Sequence, residues 1–278
     1  MNYYIKLIAL SLIIGLSACE KDANVKLPAV ESKLVVSSFI SPMDTIIKVN
    51  VTLSQPLYNN SNSNDYSAIS NATVQINDGT NFQTLTYNDT GNYYFVSITL
   101  FPLSVGATYY LTVTTPDGKS INASTSIPNS NQSLSYSAEP IVDPNNSNRY
   151  FFSTEWNDPS GAENYYRIVY YDKYYYEGSL DTSYYSMYSN NISDKDKDGS
   201  TIAESFEIYA STSNTGNNAN GELQLIHASK EYYLYHSKLL DVAYSSGPFS
   251  EPVQMYTNIN GGFGVFAGYN PYIVQVTL

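Results

Sequence analysis

Cysteine is nearly absent: there is one, Cys19, in 278 residues. A disulfide framework needs pairs, and Cys-rich zinc or iron–sulfur sites need clusters, so both are excluded. Two histidines leave multi-His metal chemistry without enough ligands. Positive charge is scarce as well. Thirteen Lys and Arg face 25 Asp and Glu, a net charge of −12. Nothing in that balance neutralises phosphates, which argues against nucleic acid as a partner. The apolar run Leu7 to Leu16 is ten residues long, where a membrane-spanning helix needs about 20. No later stretch is apolar enough to span. No G-x-S-x-G elbow, Walker loop, H-E-x-x-H or dinucleotide fingerprint occurs, and no pair of carboxylates recommends itself as an acid/base couple. The chain is read as not an enzyme.

What is present begins with an address. Met1 to Lys6 carries one positive charge, and Leu7 to Leu16 suits the apolar core of a signal peptide. Leu16-Ser17-Ala18-Cys19 follows and resembles the lipobox of bacterial lipoproteins. Residues 1–18 are then a removable leader, and the Cys19 thiol is the lipidation site. A multi-acyl anchor holds firmly, because each buried CH₂ adds about 0.8 kcal/mol of membrane affinity. Glu20-Lys21-Asp22 resembles a surface-export signal, which would face the protein outward from the outer membrane. Residues 19–32 read as a lipidated tether.

From Lys33 the pattern is β almost throughout. Ile46 to Leu53 alternates apolar and polar residues, as a half-buried strand does. Ala72 to Ile76, Phe82 to Tyr87, Tyr93 to Val96, Tyr109 to Thr115 and Ser120 to Ile127 continue the series, punctuated by Asn-Asp-Gly and Pro-Asp-Gly turns. Residues 54–71 are an Asn/Ser-rich loop. About seven short strands in roughly 100 residues predict an immunoglobulin-like β-sandwich over 33–128. Pro128 to Pro144 reads as a crossing to a second β-rich domain, 129–278. That domain holds a long tyrosine-rich run at 165–176 and one predicted helix, 229–243, with Ser229 as its N-cap. The fold class is mainly β.

Several segments in order resemble a known family. They are the lipobox with Leu34-Val35-Val36; Asn71-Ala72-Thr73-Val74-Gln75-Ile76 with Gly91-Asn92-Tyr93; Gly106-Ala107-Thr108-Tyr109-Tyr110-Leu111; Asp158-Pro159-Ser160-Gly161-Ala162-Glu163-Asn164-Tyr165-Tyr166-Arg167; and Gly261-Gly262-Phe263-Gly264-Val265-Phe266. Together the chain resembles the Bacteroidota outer-membrane lipoproteins of domain of unknown function 4249. The resemblance implies a two-part β protein tethered at the outer membrane, in the company of TonB-dependent transporters. It supplies no catalytic residues and no cofactor.

Three constellations remain. Asp194, Asp196 and Asp198, in Asp-Lys-Asp-Lys-Asp-Gly, have the alternate spacing that opens a calcium loop. The twelfth position is Ser205 rather than a bidentate Glu, and the same residues read in the first place as a solvated charged turn between two strands. Eleven of the 29 tyrosines lie between Tyr150 and Tyr188. A tyrosine ring has an apolar face and a polar tip, which suits stacking on a glycan or docking a peptide. Tyr165, Tyr170, Tyr175 and Tyr184 are the ligand-binding candidates, against the alternative that tyrosine simply fills β positions. Asp44-Thr45-Ile46 resembles a Bacteroidota O-glycosylation acceptor, which makes Thr45 a modification candidate. His227 and His236 have no metal-ligand spacing and read as isolated packing residues.

Overall fold

The computed structural model describes Tyr3 and residues 31–55, 68–129, 133–142, 148–175, 182–210, 220–244 and 253–278. Cys19 lies outside the described residues, as does most of the 54–71 loop. The chain divides into Met1–Glu31 and Ser32–Leu278, and the second unit carries the fold. Among the described residues no helix is long and apolar enough to cross a membrane.

Alternation sets the first strands. In β1 (Leu34–Ile40), every second residue is buried. In β2 (Ile46–Leu53), Ile47, Val49 and Val51 point inward. Next come β3 (Thr73–Asn77), β4 (Phe82–Thr84) and β5 (Thr86–Asn88). The run expected as one strand at 82–87 is broken at Leu85. β4 pairs with β3, whereas β5 pairs with β6 (Tyr93–Ser97). Leu85 is buried at the crossing and its N–H donates to the Val74 carbonyl. The hairpin β7 (Thr108–Thr114) and β8 (Ser120–Ser126) follows.

The predicted crossing at 128–144 contains a short polar strand, β9 (Ser135–Pro140), beside β10 (Arg149–Asn157). The remaining strands are β11 (Tyr165–Tyr175), β12 (Thr182–Ser193), β13 (Thr201–Tyr209), β14 (Asn220–Ala228) and β15 (Phe263–Thr277). The helix α1 spans Lys230–Tyr244. Its N-cap is Ser229, whose Oγ accepts the Tyr232 N–H at 3.3 Å, as the sequence predicts.

The strands form three sheets. One has eight strands, β12-β11-β14-β15-β1-β2-β6-β5; one has four, β4-β3-β7-β8; one has three, β13-β10-β9. The first core fills the space between the four-stranded sheet and the β1-β2-β6 end of the large sheet, with Val36, Ile47, Val74 and Leu111 at its centre. The second packs Phe152, Trp156 and Phe206 against Tyr166, Ile168 and Tyr170 of β11. The third lies on the opposite face of β11, where α1 covers Tyr165, Val169, Ile226 and Val265.

Residues Ser32–Leu278 form one unit, and the large sheet runs across the boundary expected at 128/129. β15 pairs with β14 on one side and, in parallel, with β1 on the other. Ile259 and Phe266 belong to the first core. The glycines around 261–268 permit this approach. Gly264 has φ +105°, and a Cβ there would lie 1.9 Å from the Val36 carbonyl oxygen. Close backbone contact is what these glycines serve.

Candidate functional site

Placement of the tyrosines corrects part of the sequence reading. Tyr165 is 7% exposed and Tyr170 0%, so neither offers a platform to a ligand. They lie five residues apart on β11, an odd spacing that sends them to opposite faces of the sheet. Tyr165 stacks under α1 against Tyr233, with ring centroids 4.8 Å apart. Tyr170 packs on Phe152 at 5.1 Å. Both faces of this strand are covered, so its tyrosines are divided between two cores. The side chain of Tyr175 lies outside the described residues. Tyr184 on β12 is 51% exposed and remains a candidate.

The acidic turn is rearranged as well. Asp194 and Asp198 come together with Asp158, each offering a carboxylate oxygen within 4.8 Å of the others, and Asp196 is not part of the group. Asp158 comes from the β10–β11 loop, which the sheet places beside the β12–β13 loop. In sequence its only signal was the turn Asn157-Asp158-Pro159-Ser160-Gly161. The carboxylates are engaged as turn acceptors. Asp158 accepts the Tyr166 hydroxyl at 2.6 Å and the Gly199 N–H at 2.9 Å. Asp194 accepts the Asn164 N–H, and Asp198 the Gly161 N–H, each at 2.8 Å. Burial pushes the Asp194 carboxyl above its ordinary range; the Asn164 N–H opposes this, and the Asp158 charge adds to it. Each of the three carboxylates takes part in pairing the two loops.

His227 closes the same region. Its Nδ1 lies 2.6 Å from the Asn129 carbonyl, its Nε2 lies 3.0 Å from Asn164 Oδ1, and its ring stacks on Tyr166. Burial lowers its pKa. A cleft of about 770 Å³ opens here between Asp158, Asn164, His227 and Lys230. No described nucleophile stands hydrogen-bonded to either histidine.

A second cavity, of about 500 Å³, lies on the α1 side of the large sheet. Its floor is Arg167 and Tyr171 of β11 with Glu222 and Gln224 of β14; Tyr184 stands at its rim, and Tyr232 and His236 come from the helix. These residues share the sheet face that α1 covers, but one helix is narrower than four strands and leaves this part open. His236 stacks on Tyr232 at 4.0 Å, and its Nδ1 lies 2.9 Å from the Tyr232 carbonyl. Burial, reinforced by the nearby Arg167 charge, pulls its pKa down to about 4. Tyr269 and Phe39 link this cavity to a cleft of about 340 Å³ bordered by Asp44 and Thr45. The Tyr269 hydroxyl donates to Asp44 at 2.8 Å. Thr45 is exposed on the turn before β2.

Fold and site together define a mainly β protein of stacked sheets with an aromatic-lined cavity. The match is to the family Domain of unknown function (DUF4249), over residues 20–272, and the chain belongs to it. No curated protein matches. Among solved structures, a chain titled "Cytokine receptor complex - Crystal form 1A" aligns at 9% identity and a TM-score of 0.22. That alignment covers 69% of this chain and 82% of the other.

Proposed function

We propose that this protein is a cell-surface outer-membrane lipoprotein, a non-enzymatic accessory or substrate-capture subunit of a TonB-dependent transport system. The observation that carries the reading is Leu16-Ser17-Ala18-Cys19 at the end of a short apolar run, followed by residues 20–32 before the first strand. That tether lets the folded unit stand at most about 45 Å from the lipid at roughly 3.3–3.6 Å per residue. The positions of His227 and His236 support a non-enzymatic role, since each ring nitrogen described faces a backbone or amide oxygen rather than a nucleophile. Exposure of Thr45 supports its availability as an O-glycosylation acceptor.

The test is affinity purification of the full-length protein from detergent-solubilised outer membrane. Co-purification of a TonB-dependent transporter is the expected result. Recovery of the chain alone, behaving as a monomer at native expression, overturns the transport reading. Cys19→Ser should move the protein from the membrane fraction to the soluble one; retention in the membrane overturns the anchor.

A second reading is an independent glycan- or peptide-binding lipoprotein. It is favoured by one observation, the exposed Tyr184 at the rim of the open cavity beside α1.

A further inference from the structure

The geometry points to the cavity at the open side of α1 as a site for an acidic saccharide, with a hexuronate carboxylate seated on Arg167 and the sugar ring against Tyr184. This rests on the capture reading in its ligand-binding form and names the ligand class.

Arg167 carries the argument. It sits in mid-strand on β11, opposite Ile226 on one side and Asn191 on the other, with Tyr165 and Val169 buried on the same face. A guanidinium in such a place loses hydration and needs a partner. Its Nε is buried without one, and its described neighbour is the Tyr232 hydroxyl. The ion pairs of the described residues include Arg149–Glu207, Lys173–Glu222 and Lys230–Glu163, and none of them involves Arg167.

Glu222 borders the same cavity but is already committed. Lys173 Nζ lies 3.5 Å from its carboxylate, the Gln275 amide donates to it at 3.0 Å and the Gln224 amide at 2.5 Å. Arg167 and Glu222 are the charged residues of the lining, and since Lys173 beside the cavity offsets Glu222, Arg167 is the charge left over in a chain whose net charge is −12. The helix residues that line the cavity are Tyr232 and His236, and burial holds the His236 pKa down at about 4, so they add no cation at neutral pH.

The shape of that charge selects the ligand. A single guanidinium fork matches one carboxylate with two parallel N–H···O bonds. A phosphate monoester brings about two charges and a wider set of acceptors than one fork fills. Around Arg167 the lining offers tyrosine ring faces and the oxygens of Glu222 and Gln224. A polyhydroxylated ring meets both, with a C–H face for the aromatic ring and hydroxyl donors for the oxygens.

The experiment is calorimetric titration of the full-length chain in detergent micelles with digalacturonic acid, its dimethyl ester and an acidic tripeptide. The acid should bind, and the uncharged ester should bind about 10-fold or more weakly. Arg167→Gln should weaken the acid by about the same factor, and Arg167→Lys should recover part of it. Tyr184→Ala should weaken binding several-fold with the unfolding temperature unchanged. If Arg167→Gln does not fold, the acid-to-ester ratio and Tyr184→Ala decide the matter. The proposal is overturned if digalacturonate gives no binding, if the ester binds as tightly, if folded Arg167→Gln binds normally, or if the tripeptide binds more tightly than the uronide. A neutral glycan binding where the uronide fails overturns the acidic class and leaves capture intact. Transporter co-purification with Arg167→Gln unchanged keeps the accessory reading separate from this one.

Discussion

The two faces of β11 are built from the same tyrosine-rich sequence and end differently. One face, Tyr166, Ile168 and Tyr170, is closed by a second sheet. The other, Tyr165, Arg167, Val169 and Tyr171, is covered by one helix, and the cavity lies beside the first turns of that helix. A sheet laid on a sheet covers it strand for strand. A helix about 10 Å across covers two or three strands spaced about 4.8 Å apart. The difference in cover, rather than in composition, decides which face becomes core and which keeps an opening.

The largest expected effect tests the closed face. Phe152→Ala removes a fully buried ring stacked on Phe206 at 5.1 Å. It should cost about 3–5 kcal/mol in denaturant unfolding. A loss below about 1 kcal/mol would show that this core is not packed as described. Asp158→Ala, at the end of the same face, strands the Tyr166 hydroxyl and the Gly199 N–H. About 2 kcal/mol of destabilisation is expected, and Asp196→Ala serves as the near-neutral control.

The open face should announce itself through pH. The folded-state pKa of His236 is about 4, below the ordinary 6.5, because of burial and then Arg167. Between those values the unfolded chain binds more protons, so stability is full above about pH 6.5 and falls as pH drops toward 4. His227, also lowered by burial, adds a contribution of the same sign. Allowing for partial exposure, His236 accounts for about 1–2 kcal/mol. His236→Phe should flatten that part of the pH–stability curve; an unchanged slope would refute the assignment.

The smallest effect sharpens the comparison most. The Tyr170 hydroxyl is buried without a partner, over the space that a Cβ on Gly221 would occupy. Tyr170→Phe removes a stranded polar atom from the closed face and should be neutral or stabilising by up to about 1 kcal/mol. A clear loss in thermal unfolding would mean that the hydroxyl has a role in that core.

How legible the molecule was depended on burial on one face or two. β2 and β8 were readable from Ile46 to Leu53 and Ser120 to Ser126, because one side faces solvent and alternation survives. In β11 both sides are buried, so the run from Tyr165 reads as continuous and gives no facing. Spacing by five then grouped Tyr165 with Tyr170 although they point apart. β9 was hidden by its polar, exposed edge composition. Asp158 was a turn residue in sequence, and only the register of β10, β11 and β12 brings it to Asp194. Arg167 stood only at the end of a family segment, with no chemistry attached to it. Its interest lies in the missing partner, which is a property of the packed sheet.

The parallel pairing of β1 with β15 has a consequence in time. A chain is synthesised from its N-terminus, so β1 waits for β15 before its sheet edge is filled. Pairings between the two ends of a chain are slow to form. The helix that bounds the cavity sits on β15 and precedes it by only a short segment. Completion of the sheet and assembly of the face that carries the cavity therefore belong to one late step, reached only once both ends of the sheet are available.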